Sequence, residues 1–253
     1  MRIVFCGVGE AFDEHLPNTS IWIQDKDKAD AGGILLDCGF TGAAAFWSMH
    51  PDPLELDAVW ISHLHGDHFF GLPQLCIRFH EHGRSKPLQI YGGPGIARAV
   101  AEAVELAYPG KWSSLGFYVD CREVEPGENF HIYGYQAQTV PVQHPVACLG
   151  LFLSLGSKTV FYTGDGRVDP KHIEEIRDCD LAICEAFCLE RDMYGHSSVL
   201  QVLDLARTAG VKQVALVHMQ RDERRRYQDM LPDYLEKSGV QGFLPQPGDV
   251  LDL

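Results

Sequence analysis

The sequence predicts an α/β protein in which two β-sheets pack face to face with helices outside, a four-layer αββα sandwich. Short β-rich runs dominate the first forty residues, and helices and strands take turns after Asp165. No linker, low-complexity tract or internal repeat divides the 253 residues, so one domain spanning 1–253 is expected. A chain of this length can bury a sizeable core.

Residues 3–6, 19–24 and 33–37 read as strands separated by polar or glycine-rich turns. Residues 42–49 read as a helix, and 57–62 and 88–91 as strands. The alanine-rich stretch 95–107 reads as a helix that Pro109 stops. Strand-like segments alternate from 117 to 161, and helix then follows strand through 170–177, 181–184, 198–210, 213–217 and 222–238.

Hydrophobic residues at 45% and charged residues at 22% describe an ordinary globular protein. The balance of 21 basic against 35 acidic residues, −14 overall, argues against a wide nucleic-acid footprint, which needs positive surface. Eight dispersed cysteines with no Cys-x-x-Cys pair suit reduced, buried thiols in the cytosol. The apolar start soon meets Glu10, Asp13 and Glu14, unlike a signal peptide, so a cytoplasmic protein is expected. Residues 132–157 lack Asp, Glu, Lys and Arg, yet Gln136, Gln138, Pro141, Gln143, His144 and Pro145 speak for buried strands over a membrane span.

The strongest chemical signal is Ser62-His63-Leu64-His65-Gly66-Asp67-His68, directly after an apolar strand. In an extended segment His63 and His65 project to the same side and can share one metal. Gly66 is expected to turn the chain so that Asp67 and His68 meet a second metal. Further ligands are expected at strand ends: His144, Asp165 between two glycines, and His218. His63, His65 and His144 would hold one ion, Asp67, His68 and His218 the other, with Asp165 between them. Imidazole with carboxylate suits zinc, and manganese or iron would also fit.

The arrangement His-x-His-x-Asp-His, a lone His, Gly-Asp and a late His resembles the metallo-β-lactamase superfamily, and within it ribonuclease Z and related phosphodiesterases. The likeness extends through Phe69-Phe70-Gly71-Leu72-Pro73, Tyr91-Gly92-Gly93-Pro94-Gly95, Phe161-Tyr162-Thr163-Gly164-Asp165, Glu185-Ala186 and Gly195-His196-Ser197-Ser198. The resemblance implies a hydrolase using two divalent ions, with Glu185 orienting His196 beside them and Asp67 helping to activate water; it also implies a homodimer. The chain departs from the pattern in three places. Only twenty residues separate His144 from Asp165, leaving no room for the arm with which such enzymes grip tRNA. Gly7-Val8-Gly9-Glu10 replaces Gly-Thr-Gly, and Cys184 stands where His is common.

The expected activity is hydrolysis of a small or flexible phosphodiester, with tRNA disfavoured. A thioester or lactone hydrolase, and a non-catalytic metal-stabilised sensing or binding module, are the alternatives. Arg221, Arg224, Arg225 and Arg226 either meet a substrate phosphate or form a solvated helix face. Gly7-Val8-Gly9 reads as a tight turn, because Phe12 occupies the third glycine of a dinucleotide fingerprint. No Gly-x-Ser-x-Gly elbow exists. His80 and His82 lie two apart on a helix and face apart, and His15, His50, His131 and His172 are assigned to the surface.

Overall fold

A computed structural model describes residues 1–26, 32–49, 52 and 54–253. The first sheet opens with β1 (Arg2–Gly7), β2 (Ser20–Gln24), β3 (Ile34–Leu36), β4 (Ala58–Ile61), β5 (Leu88–Gly92) and β6 (Val119–Glu123). The second holds β7 (Asn129–Ile132), β8 (Tyr135–Gln143), β9 (Cys148–Leu155), β10 (Lys158–Tyr162), β11 (Arg167–Val168), β12 (Leu181–Glu185), β13 (Val214–Val217) and β14 (Gly242–Phe243). Strand β15 (Val250–Asp252) returns to pair with β1. The strand orders are β15-β1-β2-β3-β4-β5-β6 and β11-β8-β9-β10-β12-β13-β14, with β7 beside β8. The helices are α1 (Gly42–Met49), α2 (Gly66–Phe69), α3 (Leu72–Glu81), α4 (Ile96–Ala107), α5 (Val199–Ala209), α6 (Arg221–Tyr227) and α7 (Leu231–Ser238).

Central strands are apolar throughout because both of their faces are covered. In β4, Ala58 and Trp60 point between the sheets, whereas Val59 and Ile61 point to the outer helices. In β13, Ala215 and Val217 face inward, and Val214 and Leu216 outward. Phe46 of α1, Phe79 of α3 and Val100 of α4 cover the first sheet, while Leu203 of α5 and Leu235 of α7 cover the second. These are the four αββα layers.

Strands β3, β4 and β5 run parallel. Strands β8 and β10 both oppose β9, and β10, β12 and β13 run parallel. The C-terminal ends of β8, β10, β12 and β13 therefore gather at one edge of their sheet, where backbone leaves the ladder and side chains are free to converge.

Two expected helices differ. The stretch 222–238 breaks at residues 228–230, because Pro232 in the first turn of α7 has no N–H for a continuous helical ladder. Pro170–Ile176 is wound as a 3-10 helix. Residues 132–157 lie largely in the β8–β9 hairpin, and among the described residues no helix is long and apolar enough to cross a membrane. All eight cysteines are free. His15 and His131 are exposed, whereas half-buried His172 bonds Glu175 at 2.9 Å; His50 lies outside the described residues.

Candidate metal centre

After β4 the chain stays extended to His65, whose φ of −70° and ψ of 147° precede α2. This puts the rings of His63 and His65 on one side, 4.7 Å apart. Gly66 then starts a helical turn that carries Asp67 and His68 inward. The glycine is required by packing rather than by a sharp backbone bend: a Cβ there would lie 2.3 Å from the Phe40 ring.

Asp165 follows β10 between Gly164 (φ +63°) and Gly166 (φ +116°). A Cβ at Gly164 would sit 2.6 Å from the Ser62 Cβ, and one at Gly166 2.5 Å from the Gln143 carbonyl oxygen. His218 caps β13 at φ +55°, a left-handed conformation uncommon outside glycine. Its N–H donates to the Val8 carbonyl at 2.9 Å, tying β13 to the tight turn at Gly7-Val8-Gly9.

The seven predicted ligands meet. Donor atoms of His63, His65 and His144 form one group, and those of Asp67, His68, Asp165 and His218 another, each within 4.8 Å. His144 of the first group and Asp165 of the second also fall together with His196 in a third combination. Except for half-buried His65 and His196, these side chains are buried.

Partners on one ring nitrogen decide what the other offers. His68 Nδ1 donates to Asp37 at 2.7 Å, and His144 Nδ1 to the Gly195 carbonyl at 2.8 Å. The Ser62 hydroxyl donates to Asp37 at 2.8 Å and so accepts from His63 Nδ1 at 3.0 Å. Each Nε2 is thereby left as the ligand atom. His63 Nε2 is buried with no hydrogen-bond partner, and His68 Nε2 and His218 Nε2 face each other at 3.3 Å. An unpartnered buried imidazole nitrogen and others that converge on two carboxylates fit divalent cations.

Sequence reasoning missed Asp37. Fully buried at φ +58°, it also accepts from the Ser62 N–H at 2.7 Å and the Tyr162 hydroxyl at 2.6 Å. An acid ending the apolar run Ile34–Leu36 was the available signal.

Burial, helped by the neighbouring charge of His68, pushes the His63 imidazole down to about 2. Burial also acts to lower His68 and His218, but nearby carboxylates outweigh it. Asp165 and Asp37 raise His68 well above its ordinary value, and Asp165, Asp67 and Glu185 raise His218 to about 10. Burial would raise Asp67 and Asp165, yet the surrounding histidines hold both below the usual carboxylate range.

Beside these groups, His196 Nδ1 bonds Glu185 Oε1 at 2.5 Å. Burial opposes the charge on His196, but the bond and charge of Glu185 hold its pKa above the ordinary value. Glu185 Oε2 accepts from the Gly166 N–H and, at 3.4 Å, from the Ser197 N–H. The arginines turn elsewhere. Arg221 pairs with buried Glu10 at 2.7 Å, Arg225 pairs with Glu14, buried Arg224 donates to the Pro245 carbonyl at 2.7 Å, and Arg226 lies over Tyr227.

A family model described as anti-Pycsar protein Apyc1 matches residues 1–247. The chain belongs to that family. Like the Apyc1 family model, curated ribonucleases match it: ribonuclease BN of Cronobacter sakazakii is 24% identical, over 86% of this chain and 88% of its own length. Ribonuclease Z of Methanococcus aeolicus is 30% identical over 60% of this chain, and this chain spans only 46% of its length. In fold, the chain is similar to the metallo-β-lactamase fold protein YhfI from Bacillus subtilis (TM-score 0.82, 20% identity, 99% and 98% of the two chains). It is also similar to the short form of human tRNase Z (TM-score 0.81, 20% identity, 100% and 99% of the two chains). This Apyc1-family chain is thus a metal-dependent hydrolase of the metallo-β-lactamase superfamily.

Proposed function

We propose that the chain is a dinuclear, zinc-dependent phosphodiesterase of the cytosol acting on small or flexible phosphodiesters. The observation that carries this reading is the His196–Glu185 pair, with a ring nitrogen of His196 within 4.8 Å of donors on His144 and Asp165. His63, His65 and His144 would hold one ion and Asp67, His68 and His218 the other, with Asp165 between. Bound there, the ions would lower the pKa of water and polarise a phosphoryl oxygen. Asp67 would orient the attacking water. His196 would protonate the departing oxygen, with Glu185 fixing the ring.

Cleavage of a phosphorus–oxygen bond is also what the ribonuclease names of the relatives share with that of a structural neighbour, a diphosphatase of the PhnP family. A small substrate is favoured because β9 and β10 join through Gly156-Ser157 alone, with no arm to grip a folded RNA, and because the chain carries −14.

The test assays metal-loaded protein, with a metal-stripped control, on bis-p-nitrophenyl phosphate, a 3′,5′-cyclic nucleotide, a precursor tRNA and a thioester. Cleavage of the first two is expected; cleavage of the thioester alone would transfer the site to acyl chemistry. His196→Ala should lower turnover of the cyclic ester by about 10²–10⁴-fold with both ions retained by elemental analysis. Unimpaired turnover removes His196 from the mechanism.

A further inference from the structure

Phe187 lies two residues beyond Glu185, just past the end of β12. Its ring stacks on the face of His196, with centroids 4.5 Å apart and planes at 25°. The same ring lies 6.3 Å from that of His218 at 33°. The backbone makes the same connection: the Phe187 N–H donates to the Ser197 carbonyl at 2.8 Å, and the Gln220 N–H donates to the Phe187 carbonyl at 2.9 Å. One residue thus links the segment bearing His196 to the segment that follows His218.

The hydrogen bond that His196 Nδ1 donates to Glu185 fixes one atom of the ring but leaves the ring plane free to tilt about that bond. The plane matters, because a His196 nitrogen is near enough to His144 and Asp165 to complete a donor group with them. A tilted ring could offer its second nitrogen to a cation and be lost as a proton donor. Contact with Phe187 on the face, and with the His144 ring edge-on at 5.3 Å and 88°, removes that freedom.

We propose that Phe187 is a positioning residue that clamps the plane of His196 so that its second nitrogen serves the departing oxygen of the substrate. The proposal rests on the proton-donor role assigned to His196 above. In the reaction, the water oxygen forms the new bond to phosphorus. The bond to the departing oxygen breaks with its electron pair, and that oxygen takes the His196 proton. The proton shed by water restores the ring for the next turnover.

The experiment compares metal-loaded wild type, Phe187→Leu, Phe187→Tyr and His196→Ala on two esters of thymidine 5′-monophosphate, the p-nitrophenyl and the phenyl. Nitrophenolate departs with little help from a proton donor, whereas phenolate needs one. Leucine keeps the side chain apolar and similar in bulk but has no planar face. Phe187→Leu should lose about ten-fold in kcat on the phenyl ester and less than about two-fold on the p-nitrophenyl ester, with KM and metal content unchanged. Phe187→Tyr should restore the phenyl ester rate. An equal loss on both esters overturns the clamp, as does a rise in KM alone, which would mean that the ring touches substrate. If His196→Ala itself shows no preference between the esters, the proton-donor reading falls and takes the clamp with it. If His196→Ala shows the preference and Phe187→Leu does not, the clamp alone fails. Thermal unfolding of each variant separates either result from misfolding.

Discussion

The two donor groups at the edge of the sandwich differ in charge. His63, His65 and His144 are all imidazoles, and burial lowers the pKa of both His63 and His144. The second group mixes His68 and His218 with Asp67 and Asp165, whose charges hold the two imidazoles protonated well above their ordinary value. Cation uptake at the carboxylate-rich group is therefore expected to displace protons. The difference shows how a single run of six residues, 63–68, can build two unlike half-sites: an extended stretch places His63 and His65 at the three-histidine group, and one helical turn places Asp67 and His68 among the carboxylates.

The severest way to break this asymmetry is to remove Asp165, the residue proposed to lie between both ions. Asp165→Ala should strip metal from both groups and cut turnover by about 10³-fold, read by elemental analysis and phosphodiester assay. An ion count that stays at the wild-type level would show that Asp165 is not shared. Asp37→Asn should act mainly on the carboxylate-rich side, because asparagine tolerates the left-handed backbone but cannot match the carboxylate's direct hold on His68, whereas His63 feels the change only through Ser62. Metal affinity at the carboxylate-rich group should fall about 10–100-fold while the three-histidine group keeps its ion, as resolved by competition with a chelator.

Proton linkage sharpens the comparison further. The His218 pKa is raised from 6.5 to about 10, so its stabilising charge is fully present below pH 6.5 and is lost as pH rises through 10. The unfolding midpoint of metal-stripped protein should therefore fall between those values, whereas that of metal-loaded protein should hold. Titration calorimetry in buffers of different ionisation enthalpy should register net proton release on metal uptake. The smallest effect is expected at Arg225, an exposed pair with Glu14: Arg225→Ala should change kcat/KM by less than about two-fold.

Much of this site was readable before any fold was known. His63, His65, Asp67 and His68 are close in sequence, and His144, Asp165, Glu185 and His218 each sit at or just beyond a strand end, where the apolar pattern stops. Strands β11, β14 and β15 were not legible, because two or three residues carry no periodicity and their pairing is decided by distant chain: β15 meets β1 from the other end of the molecule. The helix expected over 222–238 was misjudged because charge and length favoured one continuous helix, while Pro232 broke it.

By itself the sequence determined the chemistry of this protein: which side chains can bind a cation, and the apolar strand runs and intervening helices that make the four layers. Tertiary structure alone decided how those side chains are used. Asp37 became the anchor of His68 and Ser62, and Phe187 came to rest on His196, through contacts between chain segments far apart in sequence or across loops without periodicity. Arg221 and Arg225 were drawn to Glu10 and Glu14 for the same reason. Local pattern states what a residue can do; only packing fixes its neighbour, and the neighbour sets ring plane, tautomer and charge.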